Sequence, residues 1–568
     1  PSNNNQSPNI PTPNTPNVIS PNIPSNNNQS PNIPTPNTPN VISPNLPSNN
    51  NQSPNIPTPN TPNVISPNIP SNNNQSPNIP TPNTPNVISP NLPGNNNQSP
   101  NIPAPINPDV ISITTPSNNN QTANTPTAKD QTQGSINITT DTQTILTTIE
   151  NINTNTLTVT TNANPVARNI LEENRNNEYS DYLEEDLSEQ LLKEKNVREI
   201  LKDMANQTGT ESAVIYVYVY QEQLKLILYT KKREPIIKIL ADVKEKQLME
   251  VVLEFRVQIT NPTRRYTDSY LPPAQQLYDW LIAPISAELE AANIDTLLFS
   301  MDEGLRTLPV AALHDGTQFL IEKYSLSLIP SVSLMDTNYR PLQDTQVLAM
   351  GASEFVEQNS LPAVPVELEN ITQQLWQGDI FLNEDFTRDN LVIQRESNPY
   401  PIIHLATHAN FRPGKASNSY IQLWGTEQIK LNEMRELGWN EPAVELLVLS
   451  ACRTAFGDRN AELGFAGLAI AAGVKSALAS VWYVNDEGTL GLMTEFYSHL
   501  NNVKTKAEAL RRAQLAMLRG EVVIVDGKLR GSGTKGVVTL PPALENLENH
   551  NLSHPYYWAG FTMVGSPW

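Results

Sequence analysis

The chain has 568 residues, fifty prolines, one cysteine and a formal net charge of −20. This acidic balance argues against a nucleic-acid partner, because phosphates would be repelled, and a single cysteine excludes any disulfide within the chain. The most apolar stretch, residues 464–484, is interrupted by Lys475, so we predict no membrane-spanning helix.

Residues 1–116 are built from a 23-residue repeat, PSNNNQSPNIPTPNTPNVISPNI, which returns at positions 24, 47 and 70. Thirty prolines lie in this segment, and no charged residue precedes Asp109. Prolines remove backbone donors, and the few apolar residues of each repeat bury too little surface to offset chain entropy. We predict a disordered Asn/Pro-rich region over 1–116 and a Thr/Asn-rich low-complexity linker over 117–165, with a binding stalk as the alternative to a passive spacer.

The composition changes near residue 166, where apolar residues begin to recur at helical spacing in a strongly charged background. SAVIYVYVY (212–220) and LKLILYT (224–230) predict a β-hairpin, and KQLMEVVLEFRVQI (246–259) predicts a further helix. We expect a small, acidic α/β accessory region over 166–261 that packs on the domain after it.

From residue 262 to the end, predicted strands alternate with predicted helices. A helix over 272–292 is followed by buried strands at 295–302, 346–353, 401–408, 444–451 and 475–484. The helical patterns between and after them cover 365–376, 387–396, 431–437, 462–473, 487–500 and 504–519. Strands that are apolar on both faces indicate a parallel sheet covered on each side by helices. The Gly-rich segment 520–542 predicts a loop.

Polar residues follow three of these strands at the point where each one ends. His408 follows PIIHLAT, Cys452 follows VELLVLSA, and Asp486 follows SALASVWYVN. Parallel sheets bind ligands at the carboxyl ends of their strands, so the three side chains are expected on one edge. His404 lies on the same strand face as His408 but between apolar neighbours, which indicates a packed, hydrogen-bonded core histidine.

A thiol attacks a carbonyl as the thiolate, and a neighbouring imidazole can accept its proton. Cys452 is therefore the candidate nucleophile and His408 the candidate base, although a buried cysteine is also a common small hydrophobe. Asp486 could receive a Lys or Arg side chain of a substrate; alternatively, it or Asn485 caps the helix over 487–500. Neither CxxC nor HExxH spacing occurs, so no metal is predicted.

Several segments together resemble the CHAT domain, a cysteine-peptidase-like module related to caspases and separases, and the arrangement is similar to cyanobacterial CHAT proteins. These segments are SMDEGLRTLPVAALHDG, HLATHANF, LVLSACRTAFGD, SALASVWYVNDEGT, TKAEALRRAQLAMLRG and HPYYWAGFTMVGSPW. The resemblance implies a caspase-like α/β/α sandwich with a mostly parallel central sheet over 262–568. It also implies a peptidase dyad of His408 and Cys452, with the backbone N–H groups of Ala409 and Cys452 as oxyanion donors. Many relatives have glycine at the position of Ala409. Alanine keeps the backbone N–H at this position, but its β carbon restricts φ.

The expected function is that of a cysteine endopeptidase that hydrolyses peptide bonds through an acyl-enzyme intermediate, without a cofactor. The expected partners are a protein or peptide substrate and a regulatory protein. Two alternatives stay open: a non-catalytic caspase-like scaffold in a signalling assembly, and a transpeptidase or acyltransferase with the same dyad. The single cysteine favours a cytoplasmic location, and a signal peptide upstream of Pro1 stays an alternative.

Overall fold

The computed structural model describes residues 157–159, 165–187, 197–454, 458–532 and 537–568, together with five short strands in the repeats, and describes side chains from residue 173 onward except those of residues 451–453. The chain divides into two units, residues 1–151 and 152–568. In the first unit the five strands pair in parallel, in chain order and one repeat apart: Val18–Ile19, Val41–Ile42, Val64–Ile65, Val87–Ile88 and Val110–Ile111. The rest of the predicted disordered region 1–116 and nearly all of the linker 117–165 lie outside the described residues.

Among the described residues of the second unit, fourteen strands form one large sheet. Twelve strands form its continuous path, in chain order β1 (Leu157–Val159), β2 (Ser212–Tyr220), β3 (Gln223–Thr230), β4 (Ile236–Leu240), β5 (Thr296–Met301), β6 (Ser325–Leu328), β7 (Gln346–Gly351), β8 (Gln377–Leu382), β9 (Ile402–Phe411), β10 (Leu446–Thr454), β11 (Ser476–Ser480) and β12 (Phe561–Gly565). Across the sheet their order is β8-β7-β9-β10-β11-β12-β6-β5-β2-β3-β4-β1. The two remaining strands, Tyr420–Gln422 and Gln428–Lys430, form a hairpin beside β9.

The sheet consists of two parallel blocks that run in opposite directions. Strands β8, β7, β9, β10 and β11 are parallel to one another. Strand β12 is antiparallel to β11 and parallel to β6, and β6, β5 and β2 continue in that direction. The mostly parallel sheet is confirmed, and the predicted hairpin of β2 and β3 extends it at one side.

Helices cover both faces of the sheet, as the predicted α/β/α arrangement requires. They span Pro165–Leu183, Val197–Thr208, Glu245–Thr260, Leu271–Leu281, Ser286–Ala292, Leu320–Lys323, Val364–Glu369, Arg388–Ser397, Arg459–Ala466, Leu468–Ala472, Asp486–Leu500, Lys506–Leu518 and Pro555–Trp558. A π-helical segment, Asn370–Leu375, continues the helix Val364–Glu369, and short 3₁₀ turns lie at Pro262–Arg264, Ala283–Ile285, Val310–Ala312, Asn383–Asp385, Ala416–Asn418 and Leu431–Leu437. No helix among the described residues is long and apolar enough to cross a membrane.

Two sequence predictions differ from the structure. The helix predicted over 272–292 is divided in two around Pro284, because a proline inside a helix removes a donor and clashes with the preceding turn. The segment 520–542 was predicted as a loop but contains strands Val523–Val525, Lys528–Arg530 and Val538–Thr539, which join His550–Asn551 in a small sheet. Asp526 and Gly527 both have positive φ, the geometry of a two-residue hairpin turn, and their Asp-Gly sequence is a signal for it.

The core of the second unit lies on both faces of the central strands. All four residues from Leu446 to Leu449 of β10 are fully buried, which explains their unbroken apolar run. On one face, His404 of β9 contacts Glu367 and Tyr497 on two covering helices. The helix Arg459–Ala466 also packs on β9, where Phe465 meets Phe411 edge to face. Strands β9 and β10 are thus held rigidly in the middle of the sheet.

Candidate active site

The carboxyl ends of β9 and β10 lie side by side in the centre of the sheet. His408 is the register partner of Ala451, and Ala409 is the register partner of Cys452. His408 and Cys452 are therefore one step apart on neighbouring strands, which places their α carbons about 6 Å from each other. The backbone positions of the two candidate catalytic residues are thus adjacent at one edge of the sheet.

A bulge precedes His408 in strand β9. The register between β9 and β10 shifts between Leu405 and His408, so the regular alternation of side chains is interrupted there. Bulges often re-aim side chains beside active sites. The side chain of Cys452 lies outside the described residues, so the pairing of its sulfur with the imidazole stays a prediction.

The half-buried imidazole of His408 has a defined tautomer. Its Nε2 lies 2.8 Å from the backbone oxygen of Asn359, and because a carbonyl can only accept, Nε2 carries the proton. In the neutral ring Nδ1 is then the free acceptor, available for the proton of a thiol. Burial lowers the pKa of His408, partly offset by the bond to Asn359, which favours the neutral, basic form at pH 7.

Two aromatic rings and one loop position this imidazole. The ring centroid of Phe355 lies 4.6 Å from that of His408, and the ring of Tyr483 lies 6.0 Å from it. The loop that carries Phe355 and Asn359 follows β7 and is closed by a backbone bond of 2.9 Å from Leu361 N to Ser353 O. The sequence offers no third residue to orient His408. In the structure the backbone oxygen of Asn359 does so, and sequence reasoning could not identify it because every residue has a backbone carbonyl.

His404 has the structural role that the sequence indicates. The side chain is fully buried, its Nε2 lies 2.9 Å from Glu367 Oε1 and its Nδ1 lies 3.1 Å from Tyr497 Oη. With both ring nitrogens paired inside the core, it has no open position for a substrate. The prediction of a packed, hydrogen-bonded histidine is confirmed.

Asp486 is the first residue of the helix Asp486–Leu500, on the same edge as His408. Its Oδ1 accepts from Tyr483 Oη at 3.1 Å and its Oδ2 from the N–H of Ala363 at 3.3 Å. Burial raises the pKa of Asp486 to about 6, against the lowering effect of these two bonds. The alternative role as a helix cap is not seen, because the side chain of Asn485 makes no capping bond and the Asp486 oxygens bond elsewhere. Substrate binding by Asp486 stays a prediction.

A helix of the predicted accessory region contacts the segment that follows Cys452. Glu178 on Pro165–Leu183 pairs with Arg459 at 3.2 Å and with Arg306 at 2.7 Å. Arg459 begins the next helix, which Asp458 caps by accepting from the N–H groups of Asn460 and Ala461. Asp458 therefore holds the chain after the candidate nucleophile and has no evident part in the chemistry.

No group of three or more His, Cys, Asp or Glu side chains that could hold a metal occurs among the described residues.

Comparison with known proteins gives a family match and a distant structural similarity. The family model described as "CHAT domain" matches residues 271–566, more than half of the chain. The chain is similar to the Saccharomyces cerevisiae separase in its complex with securin, in one crystal structure with 9% identity and a TM-score of 0.38 and in another with 10% identity and a TM-score of 0.35. In both cases the similarity covers 65% of this chain and 31% of the separase chain. No curated protein matches the chain in sequence.

Proposed function

Because this chain belongs to the CHAT domain family, we propose that it is a cysteine endopeptidase that hydrolyses peptide bonds of protein or peptide substrates. The observation that carries the proposal is the placement of His408 and Cys452 one register step apart at the carboxyl ends of adjacent parallel strands. The tautomer of His408 supports it, since the bond from Nε2 to Asn359 leaves Nδ1 free to accept a proton. The chemistry of such a dyad requires no cofactor.

In the proposed reaction Nδ1 of His408 takes the thiol proton, and the thiolate of Cys452 attacks the scissile carbonyl carbon. The backbone N–H groups of Ala409 and Cys452, which are register partners, hold the oxygen that becomes negative. The tetrahedral species collapses as the imidazolium gives its proton to the leaving amine. Water, deprotonated by His408, then attacks the acyl-enzyme, releases the new carboxylate and restores the thiol.

Asp486 is proposed to bind a basic side chain of the substrate. It lies on the same edge as His408, and Tyr483 contacts both residues. Among the described residues the donors to this carboxylate are neutral, so a Lys or Arg side chain would gain a charge-assisted bond there. A regulatory protein is the second proposed partner.

A thiol-directed probe tests the dyad directly, because Cys452 is the sole cysteine and any labelling reports on it. We expect stoichiometric labelling at pH 7 that slows about tenfold or more in His408→Ala, since an unassisted thiol is only a few per cent ionised. His554→Ala is the matched control: burial also lowers the pKa of His554 and its Nε2 bonds the backbone oxygen of Thr267, but it caps the helix Pro555–Trp558 and lies on neither β9 nor β10.

Equal labelling rates in wild type and His408→Ala would contradict the dyad and favour the non-catalytic scaffold. Cleavage of a peptide library, abolished by Cys452→Ala, would show the peptidase activity itself. Product masses separate hydrolysis from transfer to an amine, which is the outcome expected of a transpeptidase.

A further inference from the structure

Tyr483 lies between the two functional groups of the proposed site. It follows strand β11 and precedes Asp486 by three residues. Its ring lies 6.0 Å from the ring of His408 at an interplanar angle of 32°, and its hydroxyl donates to Asp486 Oδ1 at 3.1 Å. One side chain therefore contacts both the candidate base and the candidate substrate-binding carboxylate.

The carboxylate of Asp486 has capacity for a better partner than Tyr483. Its two oxygens accept one neutral donor each, and among the described residues no Lys or Arg side chain forms an ion pair with it. Glu367 and Glu487 add negative charge nearby. A hydrogen bond from a cation to a carboxylate is about twice as strong as one between neutral groups, so a guanidinium or ammonium group can displace the phenol.

We propose that Tyr483 is a specificity-determining residue that covers Asp486 in the resting protein and is displaced by the Lys or Arg side chain of a substrate. This inference rests on the proposed function of Asp486 at a peptidase site. Only a side chain that gains more from the carboxylate than the tyrosine hydroxyl does will open the site. Neutral side chains of similar length are therefore rejected.

The tyrosine ring has a second, separable role. The ring of Tyr483 packs on the imidazole of His408. The ring of Phe355 also packs on this imidazole, with 4.6 Å between the ring centroids. Loss of the ring would free the imidazole to turn away from the direction set by Asn359. The hydroxyl thus acts on substrate binding, and the ring acts on the orientation of the base.

Two substitutions separate these roles in cleavage assays with an arginine-containing peptide. Tyr483→Phe removes the competing hydroxyl and is expected to lower KM about fivefold, with the effect on KM rather than on kcat. Tyr483→Ala also removes the ring, and we expect kcat to fall about tenfold. Tyr400→Phe is the matched control, because Tyr400 also donates to an aspartate, Asp379, but lies at the opposite end of strand β9.

A binding assay that needs no catalysis distinguishes failure of this inference from failure of the proposed function. Agmatine, a small guanidinium compound, is titrated calorimetrically into the full chain carrying Cys452→Ala. Adding Tyr483→Phe is expected to tighten agmatine binding about fivefold, and adding Asp486→Asn is expected to abolish it. Absence of agmatine binding, or equal affinity with and without Tyr483→Phe, would overturn the inference even if the protein cleaves peptides. The expected agmatine result without any peptide cleavage would support the inference and count against the peptidase.

Discussion

At the scale of single residues, the fold sets the ionisation of the groups on the reactive edge. Burial lowers the pKa of His408, which keeps the imidazole neutral and able to accept a proton. Burial has the opposite effect on a carboxyl group and raises the pKa of Asp486 to about 6. The imidazole thus stays neutral to a lower pH than a free histidine does, whereas the proposed substrate-binding charge is present only above about pH 6.

This difference predicts a pH-dependent preference for basic side chains. Asp486 is ionised above its pKa and neutral below it, so the ratio of kcat/KM for arginine over norleucine substrates should fall about tenfold from pH 7 to pH 5. The measurement is a pH series with the two peptides. Asp486→Asn should give a low ratio at every pH, and a wild-type ratio that does not change with pH would contradict the prediction.

At the scale of elements, the loop after β7 determines where His408 points. Asn383 anchors this loop, because its Oδ1 accepts from the N–H of Ser353 at 2.9 Å, and its backbone is held at a φ of 53°. The opposite end of the loop bears the Asn359 oxygen that bonds His408. Asn383, which follows strand β8, therefore supports His408 indirectly by anchoring the loop after β7.

Asn383→Ala should lower kcat about tenfold, because the loop loses its anchor and the imidazole its fixed direction. The substitution also places alanine at positive φ, which costs about 1 kcal/mol of stability. Asn293→Ala controls for that cost, since Asn293 has a φ of 52° at the end of the helix Ser286–Ala292, far in sequence from the loop. Both variants should unfold at lower temperature; an equal loss of kcat in both would refute the anchoring role.

The helix Pro165–Leu183 is tied to the sheet by a buried ion pair. Arg306, whose side chain is 1% exposed, pairs with Glu178 at 2.7 Å. Glu178→Ala leaves this guanidinium buried without its carboxylate and should cost about 3 kcal/mol in the free energy of unfolding. Glu184→Ala removes the exposed pair with Lys415 and should cost less than about 0.5 kcal/mol. Denaturant unfolding compares the two, and similar values would show that the buried pair contributes little.

At the scale of the whole molecule, the opposite directions of the two parallel blocks confine the site to one of them. The carboxyl ends of β9, β10 and β11 meet at one edge, together with the start of β12. The carboxyl ends of β5 and β6 lie at the other edge, because these strands run in the opposite direction. The other block, β12, β6, β5 and β2, thus contributes no carboxyl end of a strand to the site.

The division into two units predicts that the repeats are not needed for folding of the rest of the chain. A chain beginning at residue 152 should unfold within about 0.5 kcal/mol of the full chain, because every described strand of the fourteen-stranded sheet and every described residue of its core comes after residue 151. Thermal unfolding and the rate of Cys452 labelling are the measurements. A clear loss of either in the shortened chain would assign the repeats a structural role.

Much of the fold follows from local patterns in the sequence. Unbroken apolar runs such as Leu446–Leu449 predict buried parallel strands, and the polar residues His408 and Cys452 fall near the carboxyl ends of adjacent strands. The hairpin at Asp526-Gly527 also has a local sequence signal, the Asp-Gly pair. The sequence analysis predicts a loop there instead, because the surrounding segment is rich in glycine. These features depend only on side-chain period and turn chemistry between near neighbours in the chain.

By itself the sequence determined seven of the fourteen strands described in the sheet, most of the covering helices, and the two residues proposed for the chemistry. Only the tertiary structure decided that the blocks meet in opposite directions, that the Asn359 oxygen orients His408, and that the N–H of Ala363 bonds Asp486. The physical reason is the origin of these contacts. The bond to His408 comes from 49 residues away and the Ala363 bond to Asp486 from 123 residues away, and backbone groups or common side chains that meet over such separations leave no local pattern.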